Sequence, residues 1–186
     1  VTEIGYQAFK NCSSLESVVL SEGTTEIGEE AFYLCTSLKN ITIPKSVTKI
    51  LNHAFGSCCS LESIVIPKGV TNINEHAFTG CVSLKNVIIP EGVTNIYDHA
   101  FSGCTSLESV TIPESVTVIW NGVFKDCTSL KSATIPESVT EIGESAFYRC
   151  ASLESIVIPK GVKKIWPFAF SYCTSLTTVT LPVGVN

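Results

Sequence analysis

The amino-acid sequence predicts an α/β repeat solenoid, and two observations carry that prediction: an unbroken internal period of 23 residues, and apolar columns that recur at that period. Isoleucine stands at Ile4, Ile27, Ile50, Ile73, Ile96, Ile119, Ile142 and Ile165. Phenylalanine keeps the same step from Phe9 to Phe170, and leucine from Leu15 to Leu176. The chain therefore reads as one domain, 1–186, of eight units: 1–23, 24–46, 47–69, 70–92, 93–115, 116–138, 139–161 and 162–184.

A fixed period of about 20–29 residues signals a leucine-rich-repeat coil. The predicted architecture is right-handed, with a parallel β-sheet on the concave face and short helical turns and short second strands elsewhere. In chain order, the V-T-x-I segment is β-rich, but Val47 and Ile50 are three apart, so it reads as a short bent second strand. Ala54, Phe55, Cys58 and Leu61 then step by one, three and three, which is helical spacing compressed into about one tight turn. Leu15, Val18 and Leu20 fit L-x-x-L-x-L, and the alternation of the last two is that of a strand with one buried face. The proline that follows, from Pro44 to Pro182, lacks an amide hydrogen and ends the ladder. Gly or Ser two residues later suits a tight corner, where glycine is free to take positive φ. No unit can bury its apolar columns alone, so stability is expected from nearest-neighbour stacking.

The string A-F-x-x-C-x-S-L-x-x-I-x-I-P-x-x-V-T-x-I, read at Ala77 to Ile96 and in nearly every unit, resembles the BspA-like (Treponema pallidum type) leucine-rich repeats. The first unit departs from it, with Ser21 for proline and Thr24 for valine. Members of that family are mostly surface or secreted proteins of host-associated bacteria and some parasitic protists. The resemblance implies an extracellular or cell-surface module that binds a protein, such as a host extracellular or cell-surface protein. The rival reading is an intracellular scaffold, which unpaired cysteines would suit in a reducing compartment. A third is a spacer for another domain.

Composition narrows the field. With 45% hydrophobic and 16% charged residues the chain has material for an ordered core, and a formal charge of −5 gives no footprint for nucleic acid or an anionic membrane. No apolar stretch is long enough for a span, so direct membrane insertion is not expected. The absence of Met and the start in mid-repeat point to a piece of a longer protein. No phosphate-cradling glycine loop, paired catalytic carboxylates or Cys-His pairing is found, so neither catalysis nor a cofactor is expected.

The candidate ligand surface is the outward side of the L-x-x-L-x-L strands: Ser63, Val65, Asn86, Ile88, Ser109, Thr111, Thr134 and Val157. A shallow, hydroxyl-rich, partly apolar stripe suits a protein partner, although β-branched residues are also what any exposed sheet prefers. Beside it run Glu16, Lys39, Glu62, Lys85, Glu108, Lys131 and Glu154, an alternation expected to set each charge between opposite charges, and a hint of duplicated two-unit blocks. His53, His76 and His99 share one position of three successive units, either as a metal-bridging row or as a copied exposed polar residue. The column from Cys12 to Cys173, with Cys59 as an extra, is expected to hold core thiols, Cys59 being the most accessible. The serines from Ser14 to Ser175 are expected to satisfy turn backbone groups. Tyr97, Trp120 and Trp166 share a column that either covers the turn or makes a lateral hot spot.

Overall fold

The computed structural model describes residues 1–182 as eight stacked layers with two short strands in each. The layers hold, in order, β1 (Glu3–Ile4) and β2 (Ser17–Val19); β3 (Glu26–Ile27) and β4 (Asn40–Thr42); β5 (Lys49–Ile50) and β6 (Ser63–Val65); and β7 (Asn72–Ile73) and β8 (Asn86–Ile88). They continue with β9 (Asn95–Ile96) and β10 (Ser109–Thr111); β11 (Val118–Ile119) and β12 (Ser132–Thr134); β13 (Glu141–Ile142) and β14 (Ser155–Val157); and β15 (Lys164–Ile165) and β16 (Thr178–Thr180). Pairing is parallel and in phase: Ile4 opposes Ile27, Ile50 opposes Ile73, and Val65 opposes Ile88. The fold is thus the parallel leucine-rich-repeat solenoid that the period predicts.

The two strand sets differ in continuity. The two-residue strands β1 to β15 form one eight-stranded sheet, whereas the three-residue strands pair only in twos, as β2–β4, β6–β8, β10–β12 and β14–β16. Continuity in the first set has a visible support. The threonine hydroxyls of V-T-x-I donate to the threonine carbonyl one layer back, as Thr25 to Thr2, Thr94 to Thr71 and Thr140 to Thr117, at 3.0–3.2 Å. These bonds add to the backbone ladder beside them.

The expected helical turns are a ladder of tight turns, and no helix occurs among the described residues. Amides alternate along this segment. Those of Ala54, Gly56 and Cys58 reach back three residues to Leu51, His53 and Phe55, while those of His53, Phe55 and Ser57 donate to Glu75, Ala77 and Thr79 of the next layer. A helix would keep all of them within one layer. Left-handed φ values near 55°, as at His53 (54°) and Ser57 (57°), turn the intervening amides toward the neighbour. The same two columns are left-handed in other layers, at Glu30, Leu34, His76 and His99, so the geometry repeats with the sequence.

Phenylalanine forms the spine of the core. Phe9, Phe32, Phe55, Phe78, Phe101, Phe124, Phe147 and Phe170 stack with centroids 5.2–5.8 Å apart. Those spacings exceed one strand layer, so the rings are offset rather than eclipsed, the arrangement that their quadrupoles favour. Phe32 to Phe147 are fully buried, and each is stabilised by about 1.5–3 kcal/mol of apolar burial. Phe9, with a neighbour on one side only, is 40% exposed.

The corner after the proline works differently from expectation. Gly69, Gly92 and Gly161 do not have positive φ. A Cβ on Gly92 would instead stand 2.8 Å from the Lys68 carbonyl oxygen, so close approach of the preceding layer demands glycine there. Where serine occupies the column, its hydroxyl donates to that layer, as Ser46 to Thr24 O and Ser138 to Val116 O, both at 2.7 Å. Thr24, which departs from the repeat's valine, is buried and donates to Val1 O at 3.1 Å.

Candidate ligand-binding face

The alternation in L-x-x-L-x-L fixes the face that the three-residue strands present. Ile64, Val87, Val110 and Ile156 point inward and are buried, and their neighbours on either side point out. Ser63, Val65, Asn86, Ile88, Ser109, Thr111, Thr134 and Val157 are all exposed and lie on this one face. Its apolar members stand well clear of the surface: Val65 is 69% exposed, Ile88 68% and Val157 62%.

Clefts open on this face both between the two-strand ladders and within one. Where β4 meets β6, a cleft of about 450 Å³ opens beside Ile43, Val65 and Pro67. Where β8 meets β10, another of about 490 Å³ is lined by Asn86, Ile88, Ser109, Thr111 and Pro113. A third, of about 430 Å³, lies inside the β6–β8 pair beside Val65, Ile88 and Pro90. The charge column follows the pairing in twos. Lys39 pairs with Glu16 at 3.1 Å, Lys85 with Glu62 at 3.5 Å and Lys131 with Glu108 at 3.2 Å, each inside a two-strand ladder. Across the seams, Lys39–Glu62, Lys85–Glu108 and Lys131–Glu154 form no ion pair among the described residues, so the charges from Glu16 to Lys131 each have one opposite partner and Glu154 has none, where the interior members were expected to have two. All six paired side chains are largely solvated, and such pairs are worth only about 0.2–1 kcal/mol each.

The histidines are half-buried and stacked, not simply exposed. His53 and His76 lie 4.5 Å apart and within 4° of parallel, and His76 and His99 lie 5.0 Å apart within 14°. Nitrogen lone pairs lie in the ring plane, so stacked rings aim them side by side and not at a shared point. No His/Cys/Asp/Glu group able to hold a metal occurs among the described residues. Burial, and then the neighbouring His53 and His99, lowers the pKa of His76 against the opposing pull of Glu75 and Asp98. The Nδ1 of His53 is buried without a partner.

The family model for the BspA type leucine rich repeat region matches residues 2–127 and 94–186. The chain belongs to the BspA-type leucine-rich repeat family. It is similar to a leucine-rich repeat protein of T. pallidum, at 35% identity and a TM-score of 0.77, over 82% of this chain and 72% of that one. A leucine rich cell surface protein of Faecalibacterium prausnitzii is 32% identical at a TM-score of 0.60, and covers 97% of this chain. A leucine-rich repeat protein of Bacteroides ovatus is 28% identical at a TM-score of 0.67, over 98% of this chain. The chain spans 63% and 64% of those last two proteins. No curated protein matches significantly.

The cysteine column of the BspA-type repeat holds the core thiols expected of it and adds a hydrogen bond, while the hydroxyl role expected of the serine column falls to its neighbour. All nine cysteines are free. Each one from Cys35 to Cys173 in the column donates its thiol to the carbonyl of the phenylalanine in the layer before, at 3.1–3.3 Å, as Cys104 to Phe78 O. Burial pushes Cys81 and Cys127 up to about 12, so these thiols stay protonated and inert. Cys12, at the open end, is the exposed member, and Cys59 is only half-exposed. The expected hydroxyl support comes from threonine one residue before the serine column: Thr36, Thr105 and Thr128 donate to the layer behind at 3.3–3.5 Å. The serines there donate mainly through backbone amides, as Ser106 to Val82 O.

Proposed function

We propose that this BspA-type chain is a cell-surface or secreted recognition module that binds a protein on host or neighbouring cells and catalyses nothing. The ligand surface is the stripe of Ser63, Val65, Asn86, Ile88, Ser109, Thr111, Thr134 and Val157. The exposure of Val65, Ile88 and Val157 on a rigid parallel scaffold supports this reading most strongly. Branched apolar side chains held clear of a hydroxyl-rich surface gain from a partner that removes them from water, and their ordered backbone limits the entropy lost on docking. The kinship with a protein described as a cell surface protein supports the location.

Binding of the labelled chain to intact epithelial cells, before and after trypsin strips their surface protein, tests the proposal. The expected outcome is trypsin-sensitive binding that is lost in the triple variant Val65→Lys, Ile88→Lys, Val157→Lys and kept in the variant Val82→Lys, Ala151→Lys in the tight-turn segment, away from the stripe. Equal binding by both variants would remove the stripe. A second reading, an intracellular scaffold, draws on the nine free thiols, and gains if the chain binds no cell surface at all.

A further inference from the structure

Trp120, Gly143 and Trp166, successive members of one column, line a cleft away from the stripe. Its volume is about 330 Å³, at the small end for a ligand site, and Trp120 and Trp166 wall it with Gly143 between them. The indoles belong to layers two steps apart, about 9.6 Å at the spacing of stacked strands. Gly143, between them in the column, packs directly on the layer before: a Cβ there would lie 2.6 Å from the Trp120 carbonyl carbon, so no side chain fits at this position.

The polar groups around the cleft are fixed in place. Trp166 Nε1 donates to Glu141 Oε2 at 3.0 Å, which holds the indole over the adjoining layer. Asn121 is held at both ends: its backbone amide donates to Asp98 Oδ1 at 2.8 Å, and its Oδ1 accepts from the Glu144 amide at 2.9 Å. Glu141 and Glu144 line the cleft, and no Lys or Arg does. Lys164, the register partner of Glu141, stands with its Nζ 3.2 Å from the Trp166 ring centroid and does not line the cleft.

We infer that this cleft receives an arginine side chain of a protein partner, its guanidinium lying against the Trp120 indole and donating to Glu141 and Glu144. A planar, weakly hydrated cation stacks on indole and pairs with carboxylate, two demands that this cleft meets together. A neutral sugar ring would stack on the indole and donate its hydroxyls to the same carboxylates, but would gain nothing from their charge. The inference rests on the protein-recognition reading only in taking the arginine from a protein.

The chain holds two tryptophans, both in this cleft, so fluorescence excited selectively at tryptophan reports on it without the five tyrosines. Titration with acetyl-Gly-Arg-Gly-amide is expected to give a saturable fluorescence change. The citrulline peptide, equal in shape but uncharged, should bind about tenfold more weakly or worse, and Glu144→Gln should weaken the arginine peptide by about tenfold, the equivalent of one lost charge-assisted contact. The Lys-substituted stripe variant should bind the peptide like the parent. Retention of cell binding without any saturable response to the arginine peptide would overturn this inference and leave the stripe standing; the reverse pattern would remove the stripe alone. Equal affinity for the citrulline peptide, or tighter binding of methyl glucopyranoside or tetramethylammonium, would also overturn it.

Discussion

Identical residues at opposite depths of the stack have different fates. Phe9 in the first layer is 40% exposed and Phe32 in the second is fully buried, although both follow alanine in the same turn. Cys12 is exposed where Cys35 is buried, and Val179 in the last layer is 48% exposed where Val87 is 8%. The residue types and spacings are the same, so burial here is a property of the neighbouring layers and not of the unit. An end layer keeps one neighbour and an interior layer has two.

That contrast is sharpest in the phenylalanine spine. Phe101→Ala is expected to cost about 3–5 kcal/mol in denaturant unfolding, because a fully buried ring leaves a cavity between two packed neighbours. Phe9→Ala should cost about 1–2 kcal/mol, since much of its ring is already in water. Equal losses would break the comparison. The thiols repeat it without mutation. Iodoacetamide in native buffer should label Cys12 first and Cys59 next, and should reach Cys81, Cys104 and Cys127 only after denaturation, as mass spectrometry of digested protein would show.

A smaller effect comes from the histidine row, which occupies interior layers while Gln7 and Phe168 hold the same column at the ends. The folded state binds a proton at His76 more weakly than the unfolded chain does. Stability on that account is fully present above about pH 6.5 and declines as pH falls below it. Thermal melts from pH 8 to 5 should show this decline, and His76→Gln should flatten it; an unchanged slope would remove the row as its cause. The smallest expected effect is at the surface. Lys85→Gln should cost only about 0.2–1 kcal/mol, reduced further by salt, because the Glu62 pair is solvated.

The period, the strand positions and the inward columns were legible because each is a repeated apolar choice at fixed spacing. The outward placement of the stripe followed from the same alternation. Three features were hidden, each because a side-chain type does not specify a hydrogen-bond partner. Ala54-Phe55 carries helical spacing, yet its amides leave the layer through left-handed residues as ordinary as His53 and Ser57, and only Gly80, Gly103 and Gly122 mark those columns with the residue that favours them. The cysteine column read as small apolar filling, while its thiols also bind the layer before. The seams of the three-residue ladder follow a two-layer rhythm that the Glu/Lys alternation hinted at, and in-phase columns alone say nothing of where strands part.

The sealing of each 23-residue layer by the layers touching it can be tested by deletion at the middle of the stack. Removing residues 93–115 takes out one whole unit, which brings Gly92 to Val116 with every column still aligned. Removing residues 94–115 is one residue shorter and shifts every later column by one place. Urea unfolding followed by circular dichroism should show a cooperative transition for the first variant, at a modestly lower midpoint, and loss of cooperative folding for the second. Cooperative unfolding of both at the same midpoint, or of neither, would contradict the account.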